Sequence, residues 1–355
     1  MSGPPLPAGA ELRAALLAWY DKARRDLPWR APPGAAADPW HVLVSELMLQ
    51  QTTVATIRGR FPAFLARFPA LQALADASLD DVLHAWQGLG YYRRARALHA
   101  CARAVVEQHG GRLPLDVEAL LDLPGVGPYT AAAVAAIAGG RAVVPVDANV
   151  ERVLARLFAV TTPLPAARPH LRALAGRLAA PARAGDFAQA LMELGALVCT
   201  PRRPACADCP WRPWCAAARE EDPAGYPRKD ARAERRQSYA VVFVVERLAG
   251  AILFRRRPET GLLGGMIELP STPWLADQSQ AAAAIAASAP VDLVWTEIAG
   301  EVRHQFSHID LTCRLVRGRL ADTSVDGIWM PPARFGELAL PTMTRKLLRH
   351  AGLSW

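Results

Sequence analysis

The feature that most restricts the fold of this chain is a change of hydrophobic period partway along it. Residues 11 to about 218 read as a succession of helices, apolar at helical spacing and broken at proline and glycine. In "DPWHVLVSELMLQQT", Trp40, Leu43, Val44, Leu47 and Met48 form one stripe, with Asp38 as N-cap and Pro39 at the first helical position. Val150, Val153, Leu154, Leu157 and Phe158 repeat the spacing after a start at Asp147. Residues 219–238 then run almost without aliphatic side chains and predict a linker. Beyond it "YAVVFVVE", "GAILFRRR" and "HIDLTCRLV" predict strands, and "TMTRKLLRHAG" a closing helix. The expected architecture is a mostly α domain over 1–218, a linker over 219–238 and an α+β domain over 239–355. With 355 residues, 52% of them hydrophobic, there is material for two cores.

The net charge of +8 leans toward polyanionic partners such as nucleic acid. The basic residues are almost all arginine, the lysines being Lys22, Lys229 and Lys346. The N-terminus has no basic segment ahead of an apolar core, and no uncharged apolar run reaches the roughly 18 residues that span a bilayer. A soluble intracellular protein, with no membrane partner, is the expectation. Of the six cysteines, Cys101 and Cys313 stand alone, while "CTPRRPACADCPWRPWC" spaces Cys199, Cys206, Cys209 and Cys215 as C-x6-C-x2-C-x5-C. Such clustering argues for a metal site over a disulfide framework. Four thiolates so close can wrap one tetrahedral zinc or one iron–sulfur cluster, and spacing does not choose between them. Arg202, Arg203, Arg212 and Arg219 lie in and beside this loop and offer cations to phosphates.

In "LPGVGPYTA", Gly125 and Gly127 shape a turn ahead of a helix that starts at Pro128. If the turn is a helix-hairpin-helix, the unpaired amides of that helix start form a phosphate site that reads no base; otherwise it is an ordinary glycine turn. Glu46 lies about 130° from the centre of its helix's apolar stripe, in line with Gln50 and Thr53, which by itself reads as a solvated face. Asp147 ends the extended "AVVPV" segment as an N-cap, held ionised by the helix dipole and amide hydrogen bonds. One carboxylate that can carry a proton and one kept ionised is the pairing used to cleave bonds at an anomeric carbon. In "GLGYYRRAR", Tyr91 and Tyr92 precede Arg93, Arg94 and Arg96, either as an aromatic wedge beside phosphate-binding cations or as a core pair under a solvated basic face.

Taken together, "SELMLQQT", "GLGYYRRAR", "LPGVGPYTA", "VDANVERV" and the four-cysteine loop, in this order, resemble the adenine DNA glycosylases of the MutY type. These belong to the helix-hairpin-helix glycosylase superfamily that also contains endonuclease III. The resemblance implies a helical glycosylase domain with its hairpin at about 120–140 and a Nudix-like C-terminal domain. It implies a [4Fe-4S] cluster on Cys199, Cys206, Cys209 and Cys215. It also implies a substrate, duplex DNA carrying adenine opposite 8-oxoguanine or guanine, from which the adenine is flipped out and hydrolysed off. On it Glu46 is the general acid and Asp147 the stabiliser of the sugar cation, with Tyr129 and Asn149 as hydrogen-bond partners. Gln51, Thr52, Leu89 and Tyr91 match contacts at the lesion pair, Arg30 one near the adenine pocket, and Gly125 and Gly127 the DNA-binding hairpin.

In "HQFSHIDL", Ser307 and His308 match a loop that contacts the damaged base. After "GLLGGMIELP" the glutamate-rich helix that holds Mg²⁺ in a pyrophosphohydrolase is missing, which implies recognition without hydrolysis. Relatives that also cut the strand carry a lysine at the place of Tyr129, so little or no lyase activity is expected. Where the family writes Asp-Gly-Asn this chain has Asp147-Ala148-Asn149, which asks that Ala148 take a negative φ. A monomer, cytoplasmic in a bacterium and held at the nucleoid by DNA, completes the expectation. The competing readings are an endonuclease III-type oxidised-pyrimidine glycosylase with lyase activity and a non-catalytic, cluster-bearing damage sensor.

Overall fold

The computed structural model describes residues 9–220, 223–230, 234–258, 260–321 and 325–353. Two compact units emerge: one from the described residues of Met1–Ala77 and Ala97–Ala231, the other from those of Ser78–Arg96 and Arg232–Trp355. In chain order the helical part comprises α1 (Gly9–Ala23), α2 (Pro39–Leu49), α3 (Val54–Arg67), α4 (Leu71–Ala75), α5 (Leu79–Ala85), α6 (Arg93–His109), α7 (Val117–Leu121), α8 (Pro128–Ile137), α9 (Ala148–Leu157), α10 (Arg168–Leu178) and α11 (Ala184–Leu197). Segment 78–96, expected within the first domain, thus packs with the second, because sequence adjacency says nothing of which core a short helix joins.

The first unit is built on α9 and α11. Val150, Leu154 and Leu157 of α9 meet Phe187, Leu191 and Leu194 of α11, Leu171 of α10, and Leu12 and Leu16 of α1. Each such side chain, fully buried, contributes about 1.5–3 kcal/mol of transfer free energy. Trp211, from the cysteine loop, inserts here and donates its indole N–H to the Leu12 carbonyl at 2.8 Å. Helix α2 starts as its sequence dictates: Asp38 accepts from the amides of Trp40 and His41, and Pro39 opens the helix. It is then buried from Val42 through Met48, so Glu46, expected on a solvated face, is only 6% exposed. The apolar stripe marked where one neighbour packs; further neighbours cover the other faces.

The hairpin joins α7 to α8. Gly125 adopts φ +75°, and a Cβ there would fall 2.3 Å from the Ala97 Cβ, so both conformation and close approach demand glycine. Gly127, expected to share that role, sits in ordinary backbone at φ −92° with open space around it and serves as the N-cap of α8. Of the expected linker, 221, 222 and 231–233 lie outside the described residues, but 226–230 belong with the first unit. Tyr226 is buried, its carbonyl accepts from Arg156 at 3.1 Å, and the Arg228 carbonyl accepts from the Leu164 amide at 2.8 Å.

The second unit carries a sheet of β1 (Arg236–Arg247), β2 (Ile252–Arg256), β3 (Ile267–Glu268), β4 (Thr296–Gln305), β5 (Ile309–Leu320) and β6 (Ile328–Met330), ordered β3-β2-β1-β5-β4 with β6 on β2. Strands β1 and β5 run parallel from Arg236 opposite Ile309 to Arg247 opposite Leu320. Alternation along β1 serves two cores: Ala240, Val242 and Val244 face α13 (Thr342–His350), and Val241, Phe243 and Val245 face α12 (Ala281–Ser288). Among the described residues no helix is long and apolar enough to cross a membrane.

Candidate active site

A cleft of about 470 Å³ opens in the first unit and is lined by Glu46, Tyr129, Asp147, Asn149 and Arg30, with Gln51 and Thr52. Packing of α2 against α8, where Gln50 Nε2 donates to Thr130 Oγ1 at 3.3 Å, brings the Tyr129 hydroxyl to 2.6 Å from Glu46 Oε2. Burial pushes the Glu46 carboxyl up to about 7; the Tyr129 hydrogen bond and the Arg30 charge pull it down, and the Asp147 charge adds to the rise. Burial and the neighbouring carboxylates raise the Tyr129 phenol well above its usual value, so it stays a proton donor to Glu46.

Asp147 is the N-cap of α9: Oδ1 accepts from the Val150 amide at 2.8 Å and Oδ2 from Asn149 Nδ2 at 2.9 Å. The sequence reading has these donors holding it ionised. Here burial outweighs them and lifts Asp147 above its ordinary value, while the bonds from Val150 and Asn149 and the Arg152 charge oppose the rise. Ala148 begins α9 as an ordinary helical residue. Asn149 Oδ1 in turn accepts from Arg152 Nη2 at 2.9 Å, and the same guanidinium reaches the Cys199 carbonyl at 2.7 Å. Gly195 lets α11 approach here, since a Cβ would fall 2.7 Å from that of Asn149.

Arg30 lines the cleft, but its guanidinium is committed: Nε donates to Gln189 at 3.0 Å, and Nη1 and Nη2 each reach Glu193 at 3.3 Å. Glu193 also takes two 2.8 Å bonds from Arg25. Burial alone would raise Glu193; the hydrogen bonds from Arg25 and Arg30 hold it at about 2. Sequence reasoning missed Glu193, Gln189 and Arg25. The signal was Gln189 and Glu193, one helical turn apart within the otherwise apolar "FAQALMELGAL".

Gln51 holds a left-handed φ of +54° at the cleft. Thr52 lines the cleft, and Gly125 and Gly127 lie on the hairpin of the first unit, whereas Leu89, Tyr91, Ser307 and His308 lie in the second. Leu89 is buried there, whereas Tyr91 is exposed, takes φ +46° and brings its hydroxyl 3.4 Å from Ser307 Oγ. Ser307 and His308 are exposed in the turn between β4 and β5, which the Phe306 amide closes onto the Ile309 carbonyl at 2.8 Å. Nearby in sequence to the missing acidic helix, Glu268 is buried and neutralised by Arg255 at 2.9 Å and Arg257 at 2.5 Å.

The four cysteines lie on one loop: Cys199 after α11, Cys206 and Cys209 around a 3-10 turn, and Cys215 after a second one. Backbone amides point at their sulfurs, from Trp211 to Cys209 and from Ala217 and Ala218 to Cys215, and Arg156 Nη1 lies 3.3 Å from Cys199 Sγ. Burial pushes the free thiol of Cys209 up to about 12 and raises that of Cys215. Half-buried sulfurs with donors aimed at them suit thiolates bound to a metal group, whose ligands gain from such hydrogen bonds. Among the described residues, no three His, Cys, Asp or Glu side chains are grouped as a single-ion site.

The chain matches the HhH-GPD superfamily base excision DNA repair protein family over residues 44–174 and a NUDIX domain over 241–350. The adenine DNA glycosylase of Homo sapiens is 37% identical over 95% of this chain and 73% of its own length. That of Mus musculus is 40% identical over 95% and 77%, and that of Mycobacterium tuberculosis 48% identical over 63% and 72%. Among solved structures, a thermostable thymine-DNA glycosylase is similar with a TM-score of 0.54 at 31% identity, covering 59% of this chain and 96% of that one. A trapped endonuclease III–DNA covalent intermediate shares the fold at a TM-score of 0.50 and 20% identity, covering 60% and 97%. With relatives of one activity aligned along nearly its whole length, and with both domain types present, the chain belongs to the adenine DNA glycosylases of the MutY type, enzymes that hydrolyse an N-glycosyl bond.

Proposed function

We propose that this adenine DNA glycosylase acts on adenine opposite 8-oxoguanine or guanine, with Glu46 as general acid and Asp147 as the anion facing the reacting sugar. The observation that carries the reading is the buried Glu46 carboxyl, raised to about 7 and held by Tyr129 in a cleft it shares with Asp147. A carboxyl titrating near neutrality can give up a proton at working pH. The adenine, flipped into the cleft, takes that proton as the N-glycosidic bond breaks and its electron pair leaves with the base. Asp147, oriented by Val150 and Asn149, stabilises the cation left on the sugar or bonds to it. Water then adds its oxygen at the anomeric carbon and returns a proton to Glu46, leaving an abasic site.

Tyr129 stands where a lyase needs an amine, and no lysine occurs between Lys22 and Lys229, so strand cleavage is not expected. The four cysteines would hold a [4Fe-4S] cluster, which when bound supplies a charged, redox-active cross-link to the loop. The second unit reads the base opposite the adenine through Ser307 and His308, without hydrolysing nucleotides, for the glutamate-rich helix that would hold Mg²⁺ is missing after "GLLGGMIELP". The protein works as a monomer in the bacterial cytoplasm, at the nucleoid. One assay tests the core of the reading: single-turnover excision from duplexes carrying adenine opposite 8-oxoguanine, guanine, cytosine or thymine, with and without alkali. Product confined to the first two, and nicked only after alkali, is expected; borohydride-trapped covalent product from the native protein would overturn the assignment.

A further inference from the structure

The loop 86–91 is built to keep its shape. Gly88, Gly90 and Tyr91 all take left-handed backbone, at φ +85°, +67° and +46°. Arg94 braces it from within, donating to the Leu89 carbonyl at 2.9 Å and the Gly90 carbonyl at 3.2 Å, and lying over the rings of Trp86 and Tyr91. The loop and α5 before it are tied to the sheet-bearing part of their own unit. Arg256 of β2 pairs with Asp80 of α5 at 3.0 Å, a bond between half-exposed groups that solvent weakens. Gln87 makes the more sheltered tie. Its Nε2 donates to the Leu338 carbonyl, and its Oε1 accepts from Arg345 Nη2 of α13 at 2.7 Å. The Arg345 Nε is buried with no hydrogen-bond partner, and Gln87 Oε1 accepts from the Nη2 of the same guanidinium. A few residues beyond, Tyr91 comes 3.4 Å from Ser307.

We propose that Gln87 is a positioning residue that locks the Trp86–Tyr91 loop to α13, so that Tyr91 and the Ser307–His308 turn meet the base opposite the adenine as one preassembled surface. The proposal rests on the reading that this unit discriminates 8-oxoguanine from guanine. Gln87 itself touches neither base. A residue acting this way changes the choice between lesions, since a loosened loop forfeits the contacts that only the correct partner base rewards.

The test compares single-turnover excision from A:8-oxoguanine and A:guanine duplexes by the full chain. In Gln87→Ala the ratio of the two rates should fall about tenfold, the effect of losing one hydrogen bond to a charged group. Gln87→Met, which keeps the volume but neither bond, should show the same fall with the A:guanine rate close to native, separating the effect from a general loss of structure. Arg345→Gln should also lower the ratio, and the double variant with Gln87→Ala should be no worse than either single change, because both break one link. An unmoved ratio in Gln87→Ala and Gln87→Met, both rates falling in equal proportion, or additive losses in the double variant would each overturn the role of Gln87 while leaving lesion reading intact. A native protein that excises equally from both duplexes would instead remove the reading itself, and the proposal with it.

Discussion

On the proposed reading, Glu46 couples the chemistry to the stability of the fold. In the unfolded chain it titrates near 4.5 and in the folded protein near 7, so between those values the native state holds a proton that the unfolded state releases. Stability from this residue is therefore fully present below about pH 4.5 and lost as pH rises through 7, by about 3 kcal/mol at 1.36 kcal/mol per unit. Glu46→Gln should melt like the native protein at pH 4 and at clearly higher temperature at pH 8, while adenine release falls about 100-fold or more and duplex binding persists. Native-like excision by this variant would remove Glu46 as the acid. Native activity should decline above about pH 7 as the proton is lost. Tyr129→Phe removes a hydrogen bond that favours the ionised carboxylate, so its alkaline limb should move to higher pH; a limb that stays put would show that the phenol does not control Glu46.

At the scale of elements, the α7–α8 hairpin separates two glycines that look alike in "LPGVG". Gly125→Ala forces a Cβ into Ala97 at a left-handed φ and should cost about 2 kcal/mol or more, read by thermal or urea melts. Gly127→Ala, in open space at an N-cap, should cost under about 1 kcal/mol; equal losses would contradict the packing described. What the sequence made legible follows from burial. Strand β5 was readable because Ile309, Leu311, Cys313 and Leu315 are buried on one face with half-exposed residues between them. Strand β4 is exposed along nearly all its length and α12 has no fully buried residue, so neither leaves an apolar period to find. The site was legible as residue types, Glu46 and Asp147 among them, but not as geometry. A period of 3.6 reports one packed face, and Glu46 lies on a helix packed on several; Glu193 and Arg30 were paired across elements that no local pattern connects.

At the scale of the molecule, the division into units decides which functions can be separated by mutation. Glu46, Tyr129, Asp147 and Asn149 share the first unit, while Tyr91, Ser307 and His308 share the second, which has its own two cores on either side of β1. Ser307 and His308 are exposed and contribute to neither core, so replacing both by alanine should change stability by under about 0.5 kcal/mol. Glu46, its phenol partner Tyr129 and Asp147 remain as they were. On the proposed reading, binding energy from the base opposite the adenine is spent on holding the substrate pair, so its loss should fall on the duplex that offers the most contacts. The double variant should therefore excise adenine opposite guanine at a rate close to native and lose about tenfold in its preference for 8-oxoguanine, the effect of one or two hydrogen bonds. Rates on the two duplexes measured side by side decide the matter. A preference that survives places lesion reading outside the Ser307–His308 turn, whereas a collapse on both duplexes makes that turn part of the machinery for every substrate.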